Sequence, residues 1–147
     1  MIPIETVAQD GRVQAALAHF AEVVPDIVEQ TIAIQQIPAP TFGEAERAAY
    51  IEQRFIEIGL IDVAQDELHN VYGRFPGSEP ANNQPIIISA HSDTVFPAGT
   101  DLTVRREGNL IYGPGIGDNC TGVAGIIGLA EGCLLYTSDA ADELLGV

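Results

Sequence analysis

Ile86-Ile87-Ile88-Ser89-Ala90-His91-Ser92-Asp93 is the stretch on which the reading of this chain turns. A continuous apolar, branched run of this length predicts a strand covered on both faces, and it ends directly at a histidine. The carboxyl end of a strand in an open α/β sheet is where ligands and catalytic groups collect. In extended chain, residues two apart face the same side, so His91 and Asp93 address one site while Ser92 points elsewhere. A carboxylate beside a ligand histidine fixes its tautomer and strengthens it as a donor. An H-x-D triplet is nevertheless common, and alone it does not mark a metal site.

Upstream, the pattern is helical. Val13, Ala16, Leu17 and Phe20 recur at i, i+3, i+4, i+7, with Asp10 as the expected cap. A second helix is expected after Pro25, carrying Ile27, Ile34 and Ile37 on one side and ending at Pro38, with Ile37-Pro38-Ala39-Pro40 as a rigid extended link. Thr41 and Glu44 spell a T-x-x-E capping box ahead of Ala48, Ile51, Phe55 and Ile58, and Gly59 stands where a left-handed helix end favours glycine. Strand character follows at 61–63 and 70–75, and then a polar linker over 76–84. Helices followed by strands in this order predict a layered α/β domain.

Downstream of the isoleucine run, 102–105 and 109–112 predict a small hairpin across Arg106-Glu107-Gly108, and Val123, Ala124, Ile126, Ile127 and Ala130 predict a buried helix from Thr121. Between them lies Gly113-Pro114-Gly115-Ile116-Gly117-Asp118-Asn119-Cys120-Thr121-Gly122, a glycine-dense turn presenting one carboxylate just before the helix. A tight turn of this kind aims a functional group or simply joins strand to helix; both readings stay open on these residues alone. A dinucleotide fingerprint is excluded, because the glycines give G-x-G-x-G and an acid stands where phosphate would bind.

Composition narrows the function classes. Apolar residues make up 46% of the 147 positions and charged residues only 18%, a balance that builds a core rather than a disordered tail. Acidic residues outnumber basic ones 21 to 6, so phosphate backbones are repelled and nucleic acid is not an expected partner. All six basic residues are arginine, and the absence of lysine excludes a P-loop lysine, a Schiff-base lysine and a lysine base. No membrane-length apolar run and no leader pattern occurs, and two cysteines, Cys120 and Cys133, are too few for a disulfide framework, so a cytoplasmic protein is expected. His69 reads as a loop histidine, His19 as a helix surface or boundary residue, and Cys120 as a small filler at a helix start. Thr94 and Asn119 are candidates to line the site without an assigned role.

The two motifs together carry more than either does alone. HSDTVFP, followed 27 residues after His91 by the Asp118 of GPGIGDN, with GVAG opening a helix, resembles the co-catalytic zinc metallopeptidases and amidohydrolases. That family includes acetylornithine deacetylase, succinyl-diaminopimelate desuccinylase, aminoacylase, peptidase T and glutamate carboxypeptidase. The resemblance runs through residues 1–132, including the IPAPTFGE turn and the DELHNVYG strand. It implies the N-terminal part of a three-layer helix-sheet-helix catalytic domain and two zinc ions in the intact parent, with cobalt or manganese as alternatives. It further implies His91 as ligand to one zinc, Asp118 as bridge between both, a cis peptide at Asp118-Asn119, and Asp93 as the catalytic carboxylate that orients His91. The implied reaction is hydrolysis of an amide bond in a small peptide or N-acyl amino acid by metal-activated water. The family's Glu-Glu pair, further acidic ligand, final histidine and inserted dimerisation domain are not found here, and Glu131, alone and 13 residues past Asp118, does not replace the pair. The chain as it stands is therefore expected to be inactive, and the rival from another class is a non-catalytic metal-binding or interaction module on the same fold.

Residues 133–143, Cys133 to Glu143, look like the translation of a transposase-type sequencing adapter. The expected division is thus 1–132 as metallohydrolase sequence and 133–147 as a non-native tail.

Overall fold

Asp10 starts the long first layer of the structure. Its backbone is extended, its carboxylate accepts the Arg12 main-chain N–H at 2.9 Å, and the helix begins at the next residue. This computed structural model describes residues 3–76 and 85–145. A single-turn helix, α1 (Ile4–Ala8), precedes Asp10, and α2 (Gly11–Gln35) follows it. The two helices expected on either side of Pro25 are one: Pro25 lies inside α2. Proline removes one intrahelical hydrogen bond, but packing on both sides of it holds the axis. Phe20 and Ile27 rest against Gly132 and Gly128 of α4 (Thr121–Leu145), where a Cβ would come within 2.7 Å and 3.0 Å of their side chains. Two glycines one turn apart thus let the helices approach closely.

The expected capping box at Thr41 does not form. Helix α3 (Ala45–Glu57) starts after Glu44, whose carboxylate accepts from the Phe42 N–H instead, and the Thr41 hydroxyl is engaged elsewhere. The apolar stripe of α3 is as expected, with Ala48, Ile51 and Phe55 buried, and Gly59 ends it at φ 85°. Strands β1 (Ile61–Gln65) and β2 (Val71–Arg74) form an antiparallel pair, joined by a turn in which Asp66 accepts the N–H groups of Leu68 and Asn70, both at 2.9 Å. β2 lies flat on α3, since a Cβ at Gly73 would meet Leu60 at 2.8 Å and Phe55 at 2.9 Å. The second pair, β3 (Arg105–Glu107) and β4 (Leu110–Tyr112), turns at Gly108 with φ 56°, and Arg106 and Glu107, expected in the turn, belong to β3. Arg106 ties this hairpin to Glu29 of α2 through two contacts of 2.7 Å.

Ile34, Ile51, Phe55, Cys120, Val123, Ala124 and Ile127 make one core where α2, α3 and α4 meet, so the buried helix expected from Thr121 is present and central. α4 runs on through the residues read as adapter-derived, to Leu145.

One expectation fails outright. Residues 86–90 are not a buried strand: the run is unpaired, and Ile86, Ile87 and Ile88 are 91%, 84% and 56% exposed. Apolar periodicity reports what a segment would bury, but a strand also needs neighbours for its N–H and C=O groups. Among the described residues β1 pairs only with β2 and β3 only with β4, leaving none for this run. The architecture is accordingly mixed α/β with two small antiparallel sheets. The linker expected at 76–84 falls, apart from Pro76, outside the described residues.

Candidate functional site

Two segments far apart in sequence are laced together beneath the site. In the link 37–40, Ile37 bends out of the end of α2 with its N–H on the Ile34 carbonyl at 3.2 Å, and Pro40 pairs in parallel with Thr94, whose N–H donates to the Ala39 carbonyl at 2.8 Å. Arg47, only 2% exposed on the apolar stripe of α3, spans the same two segments. Its Nε donates to the Ile37 carbonyl at 3.0 Å, joined there by Nη2, and its Nη1 donates to the Ser92 carbonyl at 2.6 Å. Burial pulls the Arg47 pKa down, against the opposing pull of Cys120 and Asp93. The lacing holds the main chain at Ser92 and Thr94, on both sides of Asp93 and just after His91.

The glycine turn supplies the other wall. Gly115 takes φ 73°, and a Cβ there would lie 2.7 Å from Thr94 Cγ2, so only glycine lets the turn close onto the 91–94 segment. Residues 116–120 form an irregular turn with Asp118 and Asn119 outside helical geometry and the Asp118-Asn119 peptide cis. Gly122 has no room for a Cβ because the Asn119 side chain occupies that space. Gln35, fully buried at the end of α2, donates to the carbonyls of Leu102 at 3.2 Å and Pro114 at 3.1 Å, anchoring the turn to the helical layer.

His91, Asp93 and Asp118 meet. His91 Nε2 lies 2.9 Å from Asp118 Oδ1, and Nδ1 lies 3.1 Å from Asp93 Oδ1 and 3.2 Å from the Asp93 main-chain oxygen. Every partner of the ring is an acceptor, so the contacts favour the protonated imidazole. Burial works against that charge, but the bonds to Asp118 and Asp93 outweigh it, and the His91 pKa stands above the ordinary histidine value. Asp93 accepts the Thr41 hydroxyl on its other oxygen, Oδ2, at 2.7 Å. That bond, with His91 adding to it and burial opposing it, lowers the Asp93 pKa. The Asp118 side chain is 91% exposed, whereas those of His91 and Asp93 are 52% and 32% exposed. The three line a cleft of about 280 Å³, with Val95, Phe96 and Gly117 completing its rim.

The donor chemistry suits zinc in part. An imidazole nitrogen and a carboxylate oxygen are ordinary zinc ligands at roughly 2.0–2.1 Å, which in tetrahedral geometry stand roughly 3.3 Å apart. Nε2 and Oδ1 at 2.9 Å would need to part by only a few tenths of an ångström. The set is short, however: among the described residues no cluster of three or more histidine, cysteine or acidic side chains is placed to hold an ion. His91 and Asp118 thus fit as two ligands of a larger set.

His69, His19 and Cys120 fall where expected, and of the two residues expected to line the site Thr94 borders the cleft and Asn119 does not. His69 sits in the β1–β2 turn at φ 63°, its Nδ1 2.7 Å from Gln65 Nε2, and His19 is half-buried on α2 beside Phe20. Cys120 is buried in the core and burial pushes its thiol pKa up, which suits a filler and not a nucleophile. Thr94 is buried under Gly115, and Asn119 packs over Gly122. Thr41 was read only as a helix cap, and Arg47 escaped the sequence reading. A signal existed for Arg47: it stands at i, i+4, i+8 with Ile51 and Phe55, and a charge on a buried stripe must find acceptors. A larger cleft of about 660 Å³ opens between α2, α3 and α4, but it contains none of the site residues, and its Arg54 and Glu131 satisfy one another at 2.6 Å. No helix among the described residues is long and apolar enough to cross a membrane.

No curated protein sequence matches the chain. Residues 70–135, which contain the isoleucine run, His91, Asp93, the glycine turn and Asp118, match the model of peptidase family M28. The match supports a relation to the zinc-type metallopeptidases at superfamily level and a peptidase-type hydrolase in general; it does not single out the deacetylases, desuccinylases and aminoacylases that the motifs resemble.

Proposed function

We propose that the chain carries one side of the active centre of a zinc-dependent hydrolase that cleaves an amide bond in a small peptide or N-acyl amino acid. The observation that carries the reading is the ordered line of contacts Asp93–His91–Asp118 at the rim of an open cleft. Asp93 occupies Nδ1, so the lone pair of Nε2 becomes the imidazole's only free donor once its proton leaves. Asp118 offers a second, exposed ligand on the far side of that nitrogen. The short Nε2–Asp118 contact marks where imidazole and carboxylate would hold a cation between them, and holding it would require Nε2 to be unprotonated. Zinc, when bound, would polarise a scissile carbonyl and activate water at neutral pH. The exposed Val95 and Phe96 would present an apolar wall to a substrate side chain.

Two zinc ions, with cobalt or manganese as substitutes, remain our proposal for the complete centre, as do the three-layer domain, a cytoplasmic setting, a homodimer, and partners that exclude nucleic acid and membrane. His91 and Asp118 are proposed as ligands, Asp118 as the bridging one, and Asp93 as the orienting carboxylate. The division into 1–132 and a non-native 133–147 belongs to the same proposal. The chain contains no Glu-Glu pair, so we expect no turnover from it alone.

A second reading, a non-catalytic metal-binding or interaction module, draws on the short ligand set among the described residues. Calorimetric titration of the purified chain with zinc chloride tests the metal centre. Binding that disappears in both His91→Ala and Asp118→Ala supports it, and binding that is absent in the parent chain or indifferent to both changes overturns it. In a longer protein supplying the Glu-Glu pair, chelator-sensitive hydrolysis of a dipeptide restored by zinc favours the enzyme, and zinc binding without turnover favours the module.

A further inference from the structure

We propose that Thr41 is a positioning residue of this site, its hydroxyl setting the rotation of the Asp93 carboxylate and through it the tautomer of His91. The inference rests on the reading of His91 as a ligand for its consequence in metal binding, but not for the contact itself.

A carboxylate on a partly exposed loop rotates freely unless both oxygens are engaged. Here they are: Oδ2 accepts from Thr41 Oγ1 at 2.7 Å, and Oδ1 accepts from His91 Nδ1 at 3.1 Å. An exposed hydroxyl–carboxylate pair ordinarily competes with water and contributes little. This pair is different because both backbones are held in place. Thr41 follows Pro40, which is paired with Thr94, and Asp93 precedes Thr94. Thr94 N–H to Ala39 carbonyl lies beside this bridge, Arg47 clamps Ile37 and Ser92 a few residues away, and the Gly43 N–H closes a turn onto the Pro40 carbonyl at 2.7 Å. Phe42, at φ 66°, turns the chain away immediately after Thr41, its N–H held by Glu44. The hydroxyl is therefore delivered to Asp93 at little further entropic cost. With Oδ2 occupied, Oδ1 is the oxygen turned to Nδ1, which keeps a proton there and leaves Nε2 to face Asp118.

The experiment compares Thr41→Val, which removes the hydroxyl at constant shape, with Thr41→Ser, which keeps it. Two readouts are taken on the whole chain: the ¹⁵N shifts of the His91 ring at alkaline pH, which report the neutral tautomer, and zinc affinity by calorimetry. In Thr41→Val the balance should move from Nδ1–H toward Nε2–H and zinc affinity should fall about tenfold, the usual scale for losing a group that orients a ligand. Thr41→Ser should leave both within about twofold, and in an Asp93→Ala background Thr41→Val should change neither, the signature of action through Asp93. A Thr41→Val chain that keeps the parental tautomer overturns the inference, as does a serine variant that behaves like the valine one. If the parent binds no zinc yet the tautomer shifts as described, the metal reading fails and the positioning role stands.

Discussion

Replacing Arg47 by methionine should unfold the chain more easily by about 2–3 kcal/mol, a figure that follows from what the guanidinium touches. Methionine keeps helix propensity and most of the aliphatic volume, so the change isolates the polar head. That head satisfies the carbonyls of Ile37 and Ser92 from a position 2% exposed. An orphaned buried carbonyl costs about 1–3 kcal/mol, and two of them set a range of about 2–6. Both residues are only half-buried, so water reaches part of the vacated space, and methionine avoids the desolvation that already pulls the Arg47 pKa down. Both corrections move the expectation to the lower part of the range. Urea unfolding followed by circular dichroism, with an unchanged slope on denaturant, measures it. Arg47→Lys, able to reach one carbonyl at a time, should lose about half as much. A loss below about 0.5 kcal/mol in the methionine variant, within the range of an ordinary surface substitution, would refute the claim that this arginine laces the two site segments together.

Ile127→Ala, at a fully buried position where α2, α3 and α4 meet, should cost about 2–5 kcal/mol in the same assay; a cost under 1 kcal/mol would place the core elsewhere. Asp10, whose side-chain and backbone bonds to Arg12 lower its pKa to about 2, should titrate near that value by carboxyl-carbon NMR and rise part of the way toward the ordinary range in Arg12→Ala, which removes the side-chain bond and keeps the backbone one. Because its folded-state pKa lies below the unfolded value of 3.8, its contribution is present above about pH 4 and is lost as pH falls toward 2. A parental midpoint near 3.8 would contradict the cap geometry.

What could be read from the chain depended on whether a feature is decided locally. The start at Asp10, the stripe Ala48–Ile51–Phe55, the left-handed Gly59 and the buried helix from Thr121 are properties of neighbours within a turn or two, and they were legible. So was the meeting of His91, Asp93 and Asp118, through the pairing of the H-x-D triplet with the glycine-dense turn, although the strand expected to deliver His91 does not form. Pro25 misled because local propensity yielded to packing of Phe20 and Ile27 on two distant glycines. The box at Thr41 misled for a related reason: its hydroxyl found a carboxylate 52 residues away instead of a helix N–H. The isoleucine run misled most, since periodicity reveals an appetite for burial and says nothing about whether a partner strand is at hand.

That run has a colloidal consequence. Three isoleucines with wet side chains stand only two residues ahead of His91, so an apolar stretch of surface adjoins the chemically poised part. What holds copies of the chain apart is the net charge of −15, a long-range repulsion that weakens as dissolved salt shortens its reach. Ionic strength thus sets how readily neighbouring molecules crowd onto the approach to the imidazole.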